Sequence, residues 1–176
     1  AQDDTHIYDL GCSLGGSTLM LRQHVTANCH IVGVDYSPEM VSRCEAHVAQ
    51  DSNTLPTDII CADIRHIELE PCSVVVLNFT LQFLPLEDRT TLIEKIFNAL
   101  VPGGILILCE KIMFADAAEQ TWQTETHHAF KKANGYSEME VAQKRTALEN
   151  VLQPETLETH KERLESAGFR DYHLWF

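Results

Sequence analysis

The stretch IYDLGCSLGGSTLML, residues 7–21, decides the fold. It passes from an apolar run through a cluster of small residues into a segment with helical character. Glycine allows positive φ and a close approach of ligand to backbone, and the helix that follows offers unpaired N–H groups. In open parallel sheets, ligands bind beyond the carboxyl ends of the strands. The stretch therefore predicts a nucleotide site in the first strand-to-helix loop.

Strand and helix patterns alternate along the following residues. Apolar runs predict strands at 7–10, 30–34, 58–61, 74–79 and 105–109, and helical spacing predicts helices at 18–25, 38–49 and 87–100, the last ending at "PGG". Strands without polar alternation are typical of parallel sheets that are buried on both faces. We therefore predict an α/β fold with a doubly wound, mostly parallel sheet.

The rhythm changes after the fifth strand. Residues 116–150 have a mostly helical pattern broken near 134–137, and a further helix over 154–167 precedes a strand in "DYHLWF". A chain of 176 residues fits one domain. We expect one domain over 1–176 with a helical insertion at about 116–150, lacking a region before the first strand and a closing C-terminal strand.

The composition narrows the function classes. A net charge of −13 is the wrong sign for the basic footprint that nucleic-acid binding needs, so a small-molecule substrate is favoured. No apolar run approaches the roughly 20 residues of a membrane span. The six cysteines form no C-x-x-C pair. We expect reduced cysteines in the cytoplasm and no metal.

The spacing of the small residues discriminates between nucleotides. The order is Gly11-Cys12-Ser13-Leu14-Gly15-Gly16, with serine where a dinucleotide fingerprint has its second glycine. No Lys-Ser/Thr pair follows for a P-loop. The ligand is therefore expected to lack a pyrophosphate, and a tight structural turn is the alternative interpretation.

Two acidic residues follow the next strands. Asp35 ends the second strand, where a carboxylate can accept hydrogen bonds from both ribose hydroxyls, although it could also serve the helix that starts after Ser37. Asp63 ends the third strand, where it could face an adenine amino group while Ile64 covers the ring. With the glycine loop, these positions predict an adenosine site.

The combination resembles class I S-adenosylmethionine-dependent methyltransferases, whose first motif reads acid-x-G-x-G-x-G, with Ser13 replacing the central glycine. The segments YDLGCSLG, VVLNFTLQFL, FKKANGYSEMEVAQKRTALENV and ETHKERLESAGF…LWF are similar to carboxy-S-adenosyl-L-methionine synthases, bacterial enzymes of tRNA wobble-uridine modification. The resemblance runs along nearly the whole chain. Members of that family carry a further N-terminal region, which holds a cofactor-contacting tyrosine.

The resemblance implies a reaction. The family converts S-adenosylmethionine and prephenate into carboxy-S-adenosylmethionine and phenylpyruvate, through a sulfonium ylide that captures the carboxylate lost from prephenate. The new carboxylate needs a fixed cation, and Arg145 matches the family position that holds it. Guanidinium suits this role because it binds carboxylate through two parallel hydrogen bonds. A solvated helix arginine paired with Glu140 or Glu149 is the alternative.

The resemblance also implies the cofactor contacts and a homodimer. The loop residues match the family's contacts to the methionine part and ribose, the two acids match those to ribose and adenine, and the strand-four asparagine faces the amino acid portion. Tyr36 stands where relatives usually have asparagine. The implied set is Gly11, Cys12, Ser13, Asp35, Tyr36, Asp63, Ile64 and Asn78.

Other functions stay open at this point. An ordinary small-molecule methyltransferase would share the pocket but needs no cation near the methyl group, and a non-catalytic S-adenosylmethionine-binding scaffold would share it too. A NAD-dependent oxidoreductase is disfavoured by Ser13. Trp122, Phe130 and Tyr136 could close over an aromatic substrate, or could simply pack, and the histidines at 127–128 are typical of a helix surface.

Overall fold

The structure, a computed structural model, describes residues 1–139 and 151–175. Within these ranges five parallel strands form one sheet in the order β3-β2-β1-β4-β5. The strands are β1 His6–Leu10, β2 His30–Asp35, β3 Thr57–Cys61, β4 Cys72–Asn78 and β5 Leu100–Cys109. The strand order reverses beside β1, as in doubly wound sheets. The predicted fold class is confirmed.

Helices connect the strands, except between β3 and β4, and continue after β5. They are α1 Gly16–His24, α2 Pro38–Gln50, a 3-10 turn Leu81–Phe83, α3 Leu86–Ala99, α4 Ala117–Ala133 and α5 Leu157–Ala167. Local capping explains several of the boundaries. The hydroxyl of Ser37 accepts from the Met40 N–H with Pro38 at the first position of α2, and Asp116 accepts from the Glu119 N–H at the start of α4.

The sheet is covered on both faces, which explains its apolar strands. On one face, strand residues such as Leu10 and Leu77 pack with Ile93 and Ile96 of α3 in the larger core cluster. The other face forms a smaller cluster, with Ile7, Ile31, Val74 and Val76 packed against Leu21 and Val25. Adjacent residues in β1 thus enter different clusters, so both faces of the sheet are lined mainly by apolar side chains.

Strand β5 begins earlier than the sequence pattern predicts. It starts at Leu100, directly after α3, so "PGG" lies within the strand and does not form a loop after the helix. Leu100 pairs with Cys72, and the register then shifts before Ile105 pairs with Val74. An edge strand with such an irregularity tolerates a proline, which cannot donate to the ladder.

The expected strand in "DYHLWF" is wrong for the described residues 171–175, which belong to no strand. Its side chains are largely exposed, with 91% of Trp175 accessible, and the Tyr172 hydroxyl donates to Glu165 of α5 at 2.7 Å. Alternating side chains favour an extended backbone, but a strand also requires a neighbouring backbone for its hydrogen bonds. Helix α4 lies within the segment predicted to be helical and ends near the predicted break, and residues 140–150 lie outside the described ranges.

None of the helices in residues 1–139 and 151–175 combines the length and apolarity that crossing a bilayer demands.

A buried charge network joins α3, α5 and the turn after β4. The fully buried Arg89 donates to Glu155 at 2.5 Å and to the carbonyls of Gln82 and Leu84, and Arg163 donates to the other Glu155 oxygen at 2.6 Å. Burial raises the pKa of Glu155, but the hydrogen bonds from both arginines outweigh it and hold the pKa below its usual range. Glu155 therefore stays ionised as the shared counterion of two arginines.

Replacing this counterion should destabilise the fold. We expect Glu155→Gln to lower the free energy of unfolding by about 3 kcal/mol, because Arg89 would be left buried without a compensating charge. Urea unfolding followed by circular dichroism measures the effect. The matched control Glu158→Gln, in the first turn of α5, removes an exposed carboxylate 3.8 Å from Lys161 and should cost less than about 1 kcal/mol. Equal losses in both variants would contradict the assignment.

Candidate active site

A cleft of about 650 Å³ lies beyond the carboxyl ends of β1 to β4. Seven of the eight cofactor residues predicted from the sequence line it: Gly11, Ser13, Asp35, Tyr36, Asp63, Ile64 and Asn78. They come from the ends of four strands that are consecutive in the chain. The sheet order brings these ends together, so the cleft occupies the position where doubly wound folds bind ligands.

The floor of the cleft is the loop after β1. The N–H groups of Gly11 and Cys12 both donate to the Val34 carbonyl, at 2.8 and 3.0 Å, which ties the loop to β2. Gly11 has φ +84°, and a β carbon there would overlap the Thr80 hydroxyl and methyl groups and lie 3.0 Å from Thr80 Cβ. Glycine is thus required twice, for the backbone conformation and for the contact with Thr80.

Gly11 and Gly103 allow the two requirements, the backbone conformation and the space for Thr80, to be tested separately. Gly103 has a similar φ of +79°, but a β carbon there would meet only Gln2 Nε2, at 3.5 Å. We expect Gly103→Ala to cost about 1 kcal/mol of unfolding free energy from backbone strain, and Gly11→Ala to cost at least about 1 kcal/mol more. Adding Thr80→Ala should recover part of the extra loss in a double-mutant cycle. Additive effects of Gly11→Ala and Thr80→Ala would show that the contact is unimportant.

Cys12 is the predicted residue that the cleft does not include. Its side chain is buried beneath the loop. A hydrogen bond with Cys44 and burial raise the pKa of the Cys12 thiol, so it is protonated at neutral pH. The structure therefore gives Cys12 a packing role below the cleft.

Asp35 faces the cleft with its carboxylate already oriented. Oδ2 accepts from the Ser13 N–H and Oδ1 from the Ser37 N–H, each at 2.9 Å. A carboxylate has about four acceptor positions, so both oxygens can still accept hydroxyl hydrogens. Asp35 thus serves the loop and the start of α2 while remaining able to bind a diol. Tyr36, next to it, is 78% exposed at the rim.

Asp63 is paired with Arg65, which the sequence alone did not indicate as a site residue. Arg65 Nε lies 3.0 Å from each Asp63 oxygen and Nη2 lies 2.6 Å from Oδ2, while Nη1 donates to Asp88 at 2.8 Å. The hydrogen bond from Arg65 lowers the pKa of Asp63 to about 2. Ile64 between them is buried and lines the same wall. Asp63 is therefore an ionised acceptor that shares its charge with a guanidinium.

The pKa of Asp63 provides a direct test of this pairing. We expect Arg65→Met to raise the pKa of Asp63 from about 2 toward its ordinary value of 3.8, as measured by NMR titration of the carboxyl carbon. Because the folded pKa lies below the unfolded one, the pair stabilises the fold above pH 3.8, and this contribution is lost as the pH falls through about 2. Arg43→Met, which removes a guanidinium 4.0 Å from Glu39, should leave the titration unchanged. A low pKa that persists without Arg65 would contradict this origin.

The end of β4 forms the remaining wall. Asn78 is exposed, and its amide donates to Ser17 Oγ of α1 at 3.1 Å. Phe79, Thr80 and Phe83 follow it around the cleft, and none of the three was predicted from the sequence as a site residue. Their signal was the apolar pattern of "NFTLQFL", which cannot be distinguished from packing.

The remaining residues singled out in the sequence are Arg145 and three aromatic residues. Arg145 falls outside the described residues. Trp122, Phe130 and Tyr136 are each more than half exposed and do not line the cleft. Residues 1–139 and 151–175 contain no group of three or more His, Cys, Asp or Glu side chains placed to hold a metal ion.

Comparisons with known proteins place this site in a class. A family described as a methyltransferase domain matches residues 7–104. The fold is similar to the cyclopropane synthase MmaA2 from Mycobacterium tuberculosis, with a TM-score of 0.70 and 15% identity over 96% of this chain and 56% of that one. It is equally similar to the mycolic acid cyclopropane synthase CmaA1, solved with SAH, at 14% identity over 97% of this chain and 56% of that one. These matches define a class I S-adenosylmethionine-dependent methyltransferase fold.

Curated relatives identify the group within that class. The chain is 55% identical to the carboxy-S-adenosyl-L-methionine synthase of Geobacter sp. (strain M21), over 100% of this chain and 73% of the relative. It is 53% identical to the synthase of the same name from Pasteurella multocida (strain Pm70), over 98% of this chain and 72% of the relative. The chain belongs to the carboxy-S-adenosyl-L-methionine synthase family and is an enzyme of the transferase class.

Proposed function

We propose that this protein converts S-adenosylmethionine and prephenate into carboxy-S-adenosylmethionine and phenylpyruvate. The observation that carries the proposal is the identity of 55% along the whole chain to a carboxy-S-adenosyl-L-methionine synthase. The product would supply the carboxymethyl group for wobble-uridine modification of tRNA.

The described cleft fits an adenosyl ligand. Asp35 has acceptor positions left for the two ribose hydroxyls, and Asp63 is an ionised acceptor that can face an exocyclic amine. Gly11 leaves the loop backbone open to a ligand, and Ile64 adds an apolar wall. Bound S-adenosylmethionine supplies a methyl group whose C–H bonds are acidified by the adjacent positive sulfur.

The charge of the cleft supports a separate cation for the product. Among the described residues that line the cleft, Arg65 is the single cation, and its guanidinium is engaged by Asp63 and Asp88. Carboxy-S-adenosylmethionine carries an additional carboxylate, which a free guanidinium would bind through two hydrogen bonds. We assign that role to Arg145, in the segment "QKRTALEN". An ordinary methyltransferase, the second candidate, is favoured by the general methyltransferase-domain match and needs no such cation.

Two further properties belong to the proposal. We assign the protein to the cytoplasm, which is supported by its six free cysteines, since reducing compartments keep thiols unpaired. We also propose a homodimer. The described helix α4 supports an assembly, because none of its side chains is buried and Trp122 and Phe130 are exposed on it.

The reaction and the role of Arg145 can be tested together. Purified protein incubated with S-adenosylmethionine and prephenate should yield phenylpyruvate and a nucleoside heavier by one carboxylate group, detected by mass spectrometry. We expect Arg145→Leu to weaken binding of carboxy-S-adenosylmethionine by about tenfold or more, because a charge-assisted bidentate contact is lost. Binding of S-adenosylmethionine should persist, since it has no added carboxylate.

The neighbouring cation provides the matched control. Lys144→Leu removes the same charge one residue earlier and should leave both affinities near those of the wild type. Equal affinities of Arg145→Leu and wild type for the carboxylated product would contradict the role of Arg145. Methyl transfer to a small molecule without consumption of prephenate would instead support the ordinary methyltransferase.

A further inference from the structure

Phe79 occupies an unusual backbone position in the wall of the cleft. It has φ +55°, in the left-handed region that bulky residues rarely adopt, and its side chain is 56% exposed. Such a conformation costs about 1–3 kcal/mol and persists only where surrounding contacts impose it. Surrounding contacts must therefore hold Phe79 in this conformation, with its exposed ring in the wall of the cleft.

The end of β5 imposes the conformation. The Phe79 N–H donates to the Cys109 carbonyl at 2.7 Å. The carboxylate of Glu110 accepts the next three N–H groups, from Thr80 at 3.1 Å, Leu81 at 2.7 Å and Gln82 at 3.2 Å. Four successive N–H groups are thus held by two consecutive residues.

The Glu110 carboxylate replaces a side-chain cap. The 3-10 turn Leu81–Phe83 has no capping hydrogen bond from Thr80, so its first N–H groups depend on Glu110. Gln82 is anchored on the other side, where its carbonyl accepts from Arg89 and from the Gln153 N–H. The backbone around Phe79 is consequently fixed from both directions.

The chemical character of the cleft indicates what the ring contacts. Asp35 and Asp63 are polar acceptors on the side formed by β2 and β3, whereas Phe79 presents an apolar ring on the side formed by β4. The carboxylate donor of the proposed reaction carries a carbon ring, and apolar ring faces pack favourably on aromatic side chains. A ring contact would therefore separate binding of this cosubstrate from binding of the nucleoside.

We propose that Phe79 is a specificity-determining residue whose ring forms the apolar wall for the carboxylate-donating cosubstrate, and that Glu110 is the positioning residue that holds Phe79 in the cleft. The inference rests on the proposed function, because that function supplies a cosubstrate with an apolar ring.

Substitutions at Phe79 separate the ring from the backbone. Glycine and asparagine both tolerate the left-handed region, so Phe79→Gly and Phe79→Asn should fold at least as stably as the wild type. We expect both to raise the KM for prephenate by about tenfold through loss of the ring contact. The Kd for S-adenosylmethionine should change by less than about twofold. Phe79→Tyr, which keeps the ring, should retain the KM of the wild type for prephenate.

The positioning role of Glu110 is tested by non-additivity. Glu110→Gln keeps the side-chain size but replaces one acceptor oxygen by an amide donor, and should raise the KM for prephenate in the same direction as Phe79→Gly. In the Phe79→Gly background it should have little further effect on this KM, because Glu110 acts through the ring. Thermal unfolding of each variant confirms that folded protein is assayed.

The outcomes distinguish this inference from the proposed function. A wild type that forms no carboxy-S-adenosylmethionine from prephenate overturns both. An active wild type whose KM for prephenate is unchanged in Phe79→Gly and Phe79→Asn overturns the role of Phe79 alone. Independent, additive effects of Glu110→Gln and Phe79→Gly would make Glu110 a structural residue only.

Discussion

The loops after β1 and β4 meet at Gly11 and Thr80, and the cleft depends on this contact. Because Gly11 has no side chain, Thr80 packs directly on its backbone, where a β carbon would overlap the threonine. The loop then continues to Ser13, whose N–H donates to Asp35 at 2.9 Å. A larger residue at position 11 would separate β4 from the loop and displace the donor that orients the Asp35 carboxylate. Because position 11 has no side chain, the ends of β1, β2 and β4 can come together in one site.

Elements specified by local or strongly buried patterns were predictable from the sequence. Strands β1, β2 and β4 are covered on both faces and are mostly apolar in sequence, while Ser37 and Pro38 mark the start of α2 by themselves. The errors fell where a distant partner decides the outcome. "PGG" joins β5 because Leu100 pairs with Cys72, and residues 171–175 form no strand although their side chains alternate.

The residues of the candidate site fall into the same two groups: some were predictable from the sequence, and others depend on distant partners. Asp35 and Asp63 were predictable because a parallel sheet brings its carboxyl ends together, so position in the chain gives position in space. The hydrogen bonds from the N–H groups of residues 80–82 to the Glu110 carboxylate join groups 28 to 30 residues apart. No pattern in either segment of the sequence indicates them. The hydrogen bond from Asn78, the last residue of β4, to Ser17 on α1 likewise joins distant positions of the chain.

The electrostatics of the cleft are compatible with the proposed anionic cosubstrate, although the protein has a net charge of −13. At physiological ionic strength charges farther than about 8 Å are largely screened, so groups in contact with the ligand decide its affinity. Asp35 and Asp63 lie on the side of the cleft formed by β2 and β3, and Arg65 offsets the charge of Asp63. On the side of β4 the described wall presents Phe79, Thr80 and Asn78, none of which is charged. An apolar ring can approach this wall without facing a carboxylate that lines the cleft. A cation on this side would be available to the new carboxylate of the product, because few carboxylates of the wall compete for it. The separation of charged and uncharged walls follows from the strand order, because β1 stands between β2 and β4.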